Sequence, residues 1–248
     1  MRSTAASDST DSTAGSFLGA PRTVVILLLL LLVVDALLIG FDLVVGASDG
    51  YPDLLHVYRE GGIPEWFQWL KFLAAAILVL ILARRTVGLY WVWAGIFLYL
   101  FADDAFMGHE RVAGHVVRIL RLEEITNLPF EVWIVVEPAY MALVAGVVLV
   151  ALWYVSRGAS SPSAKRYTLE GLVLLALLVG FAGVGDVIGK LVFGGTHAPE
   201  VIEDGGEMIA ASLLLAHAAR QVAIELGHLA RVVRQPRPER DTGPVGGA

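Results

Sequence analysis

The sequence predicts an all-α protein, a polytopic membrane bundle of six transmembrane helices. The chain of 248 residues is 56% hydrophobic and only 17% charged, which is too apolar for an ordinary soluble domain of this length. Its apolar residues occur in long runs, several of which approach the roughly 20 residues that a helix needs to cross a bilayer. Ionisable side chains interrupt some of these runs, and inside a bilayer such groups need a partner. The bilayer of a cell membrane is therefore the first predicted partner.

Composition also narrows the chemistry. The net charge of −6 comes from 24 acids against 18 bases, which excludes the basic footprint of a nucleic-acid-binding protein. The chain has no cysteine, so disulfides, thiolate metal sites and catalytic thiols are excluded. Any metal site must therefore use carboxylate, imidazole, carbonyl or water ligands.

The first predicted span, 23–45, follows a tail of residues 1–20 that is rich in small and polar residues and is predicted to be disordered. This span is too long for the apolar region of a signal peptide, so it is predicted to be retained. Asp35 lies near its middle and Asp42 near its end, about 20° apart around a helix, so they share one face. A proton-transfer step and a hydrogen bond between helices are the two roles open to Asp35.

The second predicted span covers residues 67–83. It follows a loop at 46–65 that contains Gly, Pro and several acids and has room for a short surface helix. Arg84 and Arg85 end the span, because basic residues mark the end of a membrane-spanning run.

The third predicted span ends in an acidic stretch, residues 99–110. Its uninterrupted apolar part, 87–102, is shorter than the roughly 20 residues needed to cross a bilayer. Asp103 and Asp104 are therefore predicted to lie within the thickness of the membrane. An ionisable group at that depth costs on the order of 3 kcal/mol on insertion scales, so it is interpreted as functional and in need of a partner.

The fourth predicted span runs from Val132 to about Ser156 and contains Glu137 next to Pro138. Proline removes a backbone donor and crowds the preceding turn, which predicts a kink beside Glu137. Residues 111–130, before this span, combine arginines with leucines and valines. That pattern predicts an amphipathic segment in the membrane interface.

The fifth predicted span covers about 169–193 and follows a polar turn at 157–166. It contains Asp186, and Lys190 four residues later can neutralise it on the same helix face. The sixth predicted span, about 204–222, has a short charge-free core. A re-entrant or peripheral segment is therefore the alternative for that stretch.

The distribution of Lys and Arg decides in favour of six spans. One side of the membrane then collects eleven of these bases and the other side collects four. Because basic loops stay cytoplasmic, both termini are predicted inside, and the loops at 47–65, 111–130 and 195–203 outside. The predicted transmembrane domain covers 21–231, followed by a disordered cytoplasmic tail at 232–248.

Under this topology, acidic and histidine side chains from several spans gather near the extracytoplasmic face. On an ideal helix Asp103 and Glu110 lie on one stripe with Met107, while His109 lies about 100° away unless Gly108 loosens the helix. The candidate metal ligands are Asp103, Asp104, His109, Glu110, Glu203, Glu207 and His217. The candidates for a proton relay are Asp35, Asp42, Glu137 and Asp186.

The sixth span supplies carboxylates at the same depth. Glu203, Glu207 and His217 fall within about 80° around an ideal helix. Small Ala210 and Ala211 lie beside them and permit close approach of another helix. The acidic ends of the third and sixth spans are therefore predicted to face each other and share one cation.

So many carboxylates cannot all stay charged in a low-dielectric site without compensation. Either some are protonated, or a cation neutralises them. A mixed carboxylate and imidazole set suits Zn²⁺, Mn²⁺ or Fe²⁺. The alternative is that Asp103 and Glu207 lie at the headgroup boundary, are solvated, and simply mark helix ends.

The stretches 103–110 (DDAFMGHE) and 203–208 (EDGGEM) form a pair of acidic motifs. The pair resembles the D-[DE]-x4-HE and E-[ED]-x2-EM motifs of uncharacterised multi-pass membrane proteins of bacteria and archaea. The resemblance covers the third to sixth spans and implies that the two stretches act together, although it implies no activity. Asp104 stands where Glu is more usual. The chain differs from the alkaline-ceramidase-like membrane hydrolases, because only His217 among its histidines lies clearly within a span.

Three functions follow as hypotheses. The leading one is a membrane protein with a carboxylate and histidine site near the extracytoplasmic face that binds a divalent metal, a site that could hydrolyse a lipid or small-molecule substrate. The second is a proton- or cation-coupled transporter, which Asp35 favours. The third is a non-catalytic accessory subunit whose acids are structural. Clustering of the acids at one depth favours a site over a pathway, and enzymatic activity stays an open question.

Overall fold

The computed structural model describes residues 21–46, 48, 52–84, 88–122, 132–158, 162–185 and 197–234. Apart from short turns, the secondary structure of these residues is helical. The predicted tail at 1–20 lies outside the described residues, as does most of 232–248. The helices are α1 (Arg22–Val45), α2 (Ile63–Ala83), α3 (Gly88–Ala105), α4 (Gly108–Ile119), α5 (Trp133–Gly158), α6 (Pro162–Val179) and α7 (His197–Arg234), with a 3-10 turn at Asp53–Leu55 and a π-helical segment at Gly180–Gly185.

Length and composition make five of these helices candidate membrane spans, namely α1, α2, α5, α6 and α7. The bent pair formed by α3 and α4 gives a sixth if it is counted as one span. The outer faces of the helices are apolar, as expected for surfaces in contact with lipid: Leu37 on α1 is 67% exposed and Leu143 on α5 is 68% exposed. Exposed apolar surface of this kind marks a membrane or partner contact. The helices therefore indicate a membrane protein.

Helix α7 forms the centre of the bundle. It packs against α1, α2, α6 and the π-helical segment. Ala210, Ala211 and Leu214 have no exposed surface. The alternative of a peripheral segment for this stretch is therefore wrong. The helix also begins before the predicted 204 and continues to Arg234, past the predicted start of the C-terminal tail.

Two consecutive glycines let neighbouring elements approach α7 closely. A Cβ atom on Gly205 would come within 2.9 Å of the Ile39 side chain on α1. A Cβ atom on Gly206 would overlap the ring of Phe181 in the π-helical segment. These contacts hold the acidic start of α7 against both neighbours.

Helix α6 begins earlier than the sequence predicted. The polar turn predicted at 157–166 is helical from Pro162 onward, and α5 extends to Gly158. Proline suits the first turn of a helix because its missing N–H has no partner there anyway. Arg166 and Glu170 then form an i,i+4 ion pair of 2.7 Å on the new turn. Asp186 lies outside the described residues, as does Lys190.

Candidate metal centre

The chain breaks sharply between α3 and α4. The two helix axes differ by 69°, and Met107 at the break has φ 49° and ψ 49°. The ideal helix on which Asp103, Met107 and Glu110 share one stripe therefore does not continue through this stretch, and the alternative of a helix loosened near Gly108 agrees with the structure. A non-glycine residue in the left-handed region is uncommon and costs energy that the surrounding contacts must offset.

This break carries His109 back over the end of α3. His109 Nδ1 donates a hydrogen bond of 3.0 Å to Asp103 Oδ2. Gly108 permits the approach, because a Cβ atom there would lie 2.5 Å from Asp103 Oδ1. The prediction that Gly108 lets the imidazole turn toward the acids is thus confirmed by the geometry.

Asp103 is held from its other side as well. Tyr99 donates a hydrogen bond of 3.1 Å to Asp103 Oδ1, and the hydroxyl of Tyr140 on α5 lies 3.3 Å from that of Tyr99. Asp103 is only 8% exposed. With both oxygens engaged, Asp103 fixes the ring of His109 and places the proton on Nδ1.

The other ring nitrogen of His109 faces a second carboxylate. Nε2 lies 3.6 Å from Glu137 Oε1 on α5. His109, Glu110 and Glu137 each present one ligand atom, and these atoms lie within 4.8 Å of one another. Two ligands bound to one Zn²⁺ at about 2.1 Å in a tetrahedral site lie roughly 3.4 Å apart. The separation between His109 and Glu137 already suits a shared ion.

The roles of two residues differ from the sequence-based expectation. Glu137 was expected in a proton relay, yet it lies with His109 and Glu110 in the group that could hold a metal. Asp103 was expected as a ligand, yet it binds the far side of the imidazole. A carboxylate in that position is the usual partner of a metal-bound histidine, because it fixes the tautomer and raises the basicity of the ring.

These groups open into a cavity of about 1010 Å³. Most of the acids singled out in the sequence line it, including those at the start of α7, so the predicted convergence of the two acidic stretches is confirmed as geometry. The predicted site residues on its wall are Asp103, Asp104, His109, Glu110, Glu137, Glu203 and Glu207.

Gln68 on α2 joins the two acidic stretches, and sequence reasoning missed it. Its side-chain amide donates to Asp104 Oδ2 at 3.1 Å and to Glu207 Oε2 at 3.3 Å. The acidic ends of α3 and α7 therefore face each other across α2. A polar side chain inside the apolar second span was the available signal.

Asp42 lies outside this cavity wall and anchors the loop before α2. His56 Nδ1 donates to Asp42 Oδ1 at 2.8 Å, and the Val57 N–H donates to Oδ2 at 2.9 Å. The loop so anchored places Tyr58 on the cavity wall. Partial burial raises the pKa of the Tyr58 phenol, and the negative charge of Asp42 adds to that effect.

Asp35 is fully buried and paired with a residue that sequence reasoning also missed. Lys71 Nζ on α2 donates to Asp35 Oδ1 at 2.6 Å and to the Met208 carbonyl at 2.9 Å. Ser212 on α7 donates to Asp35 Oδ2 at 2.6 Å. Lys71 is 2% exposed and lies 4.3 Å from the centre of the Phe67 ring. This ion pair joins α1, α2 and α7.

Residues 23–221 match a family described as Domain of unknown function (DUF8692). The chain belongs to this family. No curated protein and no solved structure matches the chain.

The DUF8692 match includes both acidic stretches of the cavity and the Asp35–Lys71 pair. It also includes His217, which was predicted as a metal ligand. The structure corrects this prediction, because His217 lies away from the cavity wall. The His217 ring stacks on Tyr167 at 4.4 Å, and Nε2 donates to the Tyr167 carbonyl at 2.9 Å. Arg220 pairs with Glu170 at 2.6 Å beside it. His217 thus belongs to a separate polar group between α6 and α7.

Proposed function

We propose that this DUF8692 chain is a six-span membrane protein that binds one divalent cation through His109, Glu110 and Glu137. Both termini are cytoplasmic in this proposal, and the cavity opens to the extracytoplasmic side. The observation that carries it is the position of the His109 ring between the carboxylates of Asp103 and Glu137. One carboxylate binds Nδ1 at 3.0 Å and the other lies 3.6 Å from Nε2.

The charge of the cavity supports a cation. Of the residues that the structure describes, ten carboxylates line its wall, against Arg59 and His109 as the basic groups. Placing like charges together in a low-dielectric site is unfavourable unless protons or cations neutralise some of them. A bound divalent ion would lower this repulsion directly.

The ligand types suggest which metals and which chemistry. One imidazole with carboxylates suits Zn²⁺, Mn²⁺ or Fe²⁺. Three protein ligands leave a coordination position for water or substrate, which is the arrangement of catalytic rather than structural zinc sites. Metal-assisted hydrolysis is the reaction class that such a site supports, since a metal makes bound water a nucleophile near neutral pH.

A cation- or proton-coupled transporter is the second candidate, and one observation favours it. Met208 lines the cavity, and its carbonyl accepts a hydrogen bond from Lys71. The Asp35–Lys71 pair is therefore joined to the cavity wall through Met208. The complete pairing of Asp35 argues in the other direction, because both its oxygens have close donors.

The metal content of the purified protein tests the leading proposal. Wild-type protein purified in detergent and dialysed against Zn²⁺ or Mn²⁺ should retain about one ion per chain by elemental analysis. His109→Ala should retain none. Asp53→Asn, an exposed acid outside the cavity wall, is the matched control and should retain the wild-type amount. Equal metal in the wild type and in His109→Ala would overturn the proposal.

Topology has its own test. A reporter fused after residue 240 should report a cytoplasmic location, because eleven bases lie on that side in the six-span arrangement. A fusion in the loop before α2, near residue 60, should report the extracytoplasmic side. An extracytoplasmic signal from the fusion after residue 240 would contradict the proposed orientation.

A further inference from the structure

The cavity has two chemically different ends. Its carboxylates come from the loop before α2, the start of α2, the end of α3, and the starts of α4, α5 and α7. Beyond Glu137 the wall becomes apolar and is built by α5, by the end of α6 and by the π-helical segment. The residues of this apolar wall are Pro138, Met141, Ala142, Ala145, Leu178, Val179, Ala182 and Gly183.

The α5 part of this wall is one continuous helix face. Pro138, Met141, Ala142 and Ala145 are spaced at i, i+3, i+4 and i+7, which places them above one another on the same side. Seven residues of helix rise about 10 Å. The apolar wall therefore extends about 10 Å from the acidic end toward the middle of α5.

The wall is formed where α5 and α6 flank the cavity. Helix α5 packs against α3 and α4, whereas α6 packs against α7 and the π-helical segment. The outward face of α5 is strongly apolar, with Leu143 and Val147 more than 60% exposed. Under the proposed membrane topology, that outward face meets lipid chains and the inward face meets the cavity.

We propose that the cavity binds a single-chain amphiphile with a positively charged headgroup. The cationic group lies among the carboxylates at the start of α7, next to the metal ligands, and the chain lies along the wall from Pro138 to Ala145. This inference rests on the proposed function in one respect, because it makes such an amphiphile the substrate class of the metal centre.

The sign of the headgroup follows from the charges on the wall. Among the described residues of the wall, ten carboxylates exceed the two charges of a divalent ion together with Arg59 and His109, so the acidic end stays negative when a metal is bound even if some of the carboxylates are protonated. A negative cavity with low-dielectric walls attracts cations and repels anionic carboxylate or phosphate headgroups. The hydrocarbon chain of the amphiphile moves from one apolar surrounding, the bilayer, to another, the cavity wall. The headgroup therefore decides which amphiphiles bind.

Photolabelling tests the inference directly. The probe is a dodecylamine analogue with a diazirine in its chain, added to the full chain in nanodiscs of a zwitterionic lipid, with labelled peptides mapped by mass spectrometry. We expect label on Met141, Ala142 and Ala145 of α5 and on the cavity-lining residues of 178–183. Excess dodecylamine should reduce it at least about fivefold, because it competes for the acidic end, whereas butylamine and dodecanoate should not.

Two phenylalanine variants make a matched pair on one helix. Ala145→Phe fills the inner wall and should reduce labelling at least about fivefold, because added bulk excludes the chain. Leu143→Phe changes the lipid-facing side and should leave it unchanged. Label spread evenly over lipid-facing positions such as Val147, or competition by dodecanoate equal to that by dodecylamine, would overturn the inference. The competition experiment needs no variant, so misfolding of Ala145→Phe would not decide it.

The outcomes also separate this inference from the metal proposal. Specific labelling by a protein that retains no metal supports the amphiphile site and overturns the metal centre. One metal ion per chain together with evenly spread labelling supports the metal centre and overturns the amphiphile site. Loss of labelling in Glu203→Gln without loss of metal, and without loss of labelling in Asp53→Asn, would place the headgroup at the acidic end.

Discussion

Two sets of buried acids in this molecule are stabilised in different ways. Asp35 lies in a closed region where α1, α2 and α7 meet, with the Lys71 ammonium 2.6 Å away and the Ser212 hydroxyl on its other oxygen. Asp103 lies at the edge of a cavity of about 1010 Å³ whose wall is rich in carboxylates. The first region contains its own cation, and the second has the shape and ligands to receive one. Under the proposed function, Asp35 is a structural acid and the acids of the cavity are functional ones, and this difference in pairing distinguishes them.

The two regions should therefore respond to mutation with opposite signs. Removing one charge from the closed pair leaves the other buried and uncompensated, which destabilises the fold. Removing one carboxylate from the open cavity relieves repulsion between like charges, so it should not harm the fold in the absence of metal. What it should reduce is cation binding.

The largest effect is expected at the closed pair. Asp35→Asn should lower the free energy of unfolding by about 3–5 kcal/mol, because the Lys71 ammonium loses its carboxylate. The double variant Asp35→Leu, Lys71→Met removes both charges and should recover most of the loss. Unfolding in mixed micelles measures both. A double variant as unstable as Asp35→Asn would show that the pair is not the reason for the loss.

Glu137→Gln tests the open region. Affinity for Zn²⁺ should fall by more than about 100-fold, since losing a ligand costs more than losing the group that orients one. Without metal the variant should be at least as stable as the wild type. Competition with a fluorescent chelator gives the affinity, and Asp53→Asn is the control. A Glu137→Gln protein with wild-type affinity would remove Glu137 from the ligand set.

Asp103→Asn is expected to have an intermediate effect. The amide oxygen can still accept a hydrogen bond from His109 Nδ1, but the negative charge that supports the imidazole is lost. Groups that orient a metal-bound histidine are typically worth about 10–100-fold in affinity. The same competition assay applies. A loss as large as that of Glu137→Gln would instead make Asp103 a direct ligand.

Tyr99→Phe should have the smallest effect. It removes one hydrogen bond of 3.1 Å to Asp103 while leaving the carboxylate in place. A single hydrogen bond is worth about 1 kcal/mol, so affinity should fall by less than about tenfold. Tyr154→Phe on the exposed side of α5 is the matched control. If Tyr99→Phe exceeded Asp103→Asn in effect, the proposed order of contacts around His109 would be wrong.

Much of the fold was predictable because membrane helices are encoded locally. An apolar run such as 23–45 is long enough to define a helix without knowledge of its neighbours, and α1 spans Arg22–Val45 in the structure. The gathering of acids was predictable for a related reason. Charged groups in apolar runs need partners, and the predicted topology brings the two acidic stretches to one end.

The parts that could not be predicted depend on contacts between elements. The break at Met107 brings His109 into contact with Asp103, whereas an ideal helix would hold the two side chains on different faces. Local sequence propensities do not predict a methionine in the left-handed region. His217 lies away from the cavity because its ring stacks on Tyr167 of α6. A helical wheel of α7 alone cannot predict this contact between two helices. Lys71 was visible in the sequence, and the need of Asp35 for a buried partner was the signal that could have identified it.

The central claim is that the open region binds a divalent cation, whereas the closed region is neutralised internally by the Lys71 ammonium. Thermal unfolding of the purified wild type measures this most directly, with chelator and then with Zn²⁺ at about 100 times its dissociation constant. Linkage predicts about 2.7 kcal/mol of stabilisation, a rise in melting temperature of about 5–10 °C, which Glu137→Gln should lack. A wild-type melting temperature that responds neither to chelator nor to added Zn²⁺ or Mn²⁺ would contradict the account.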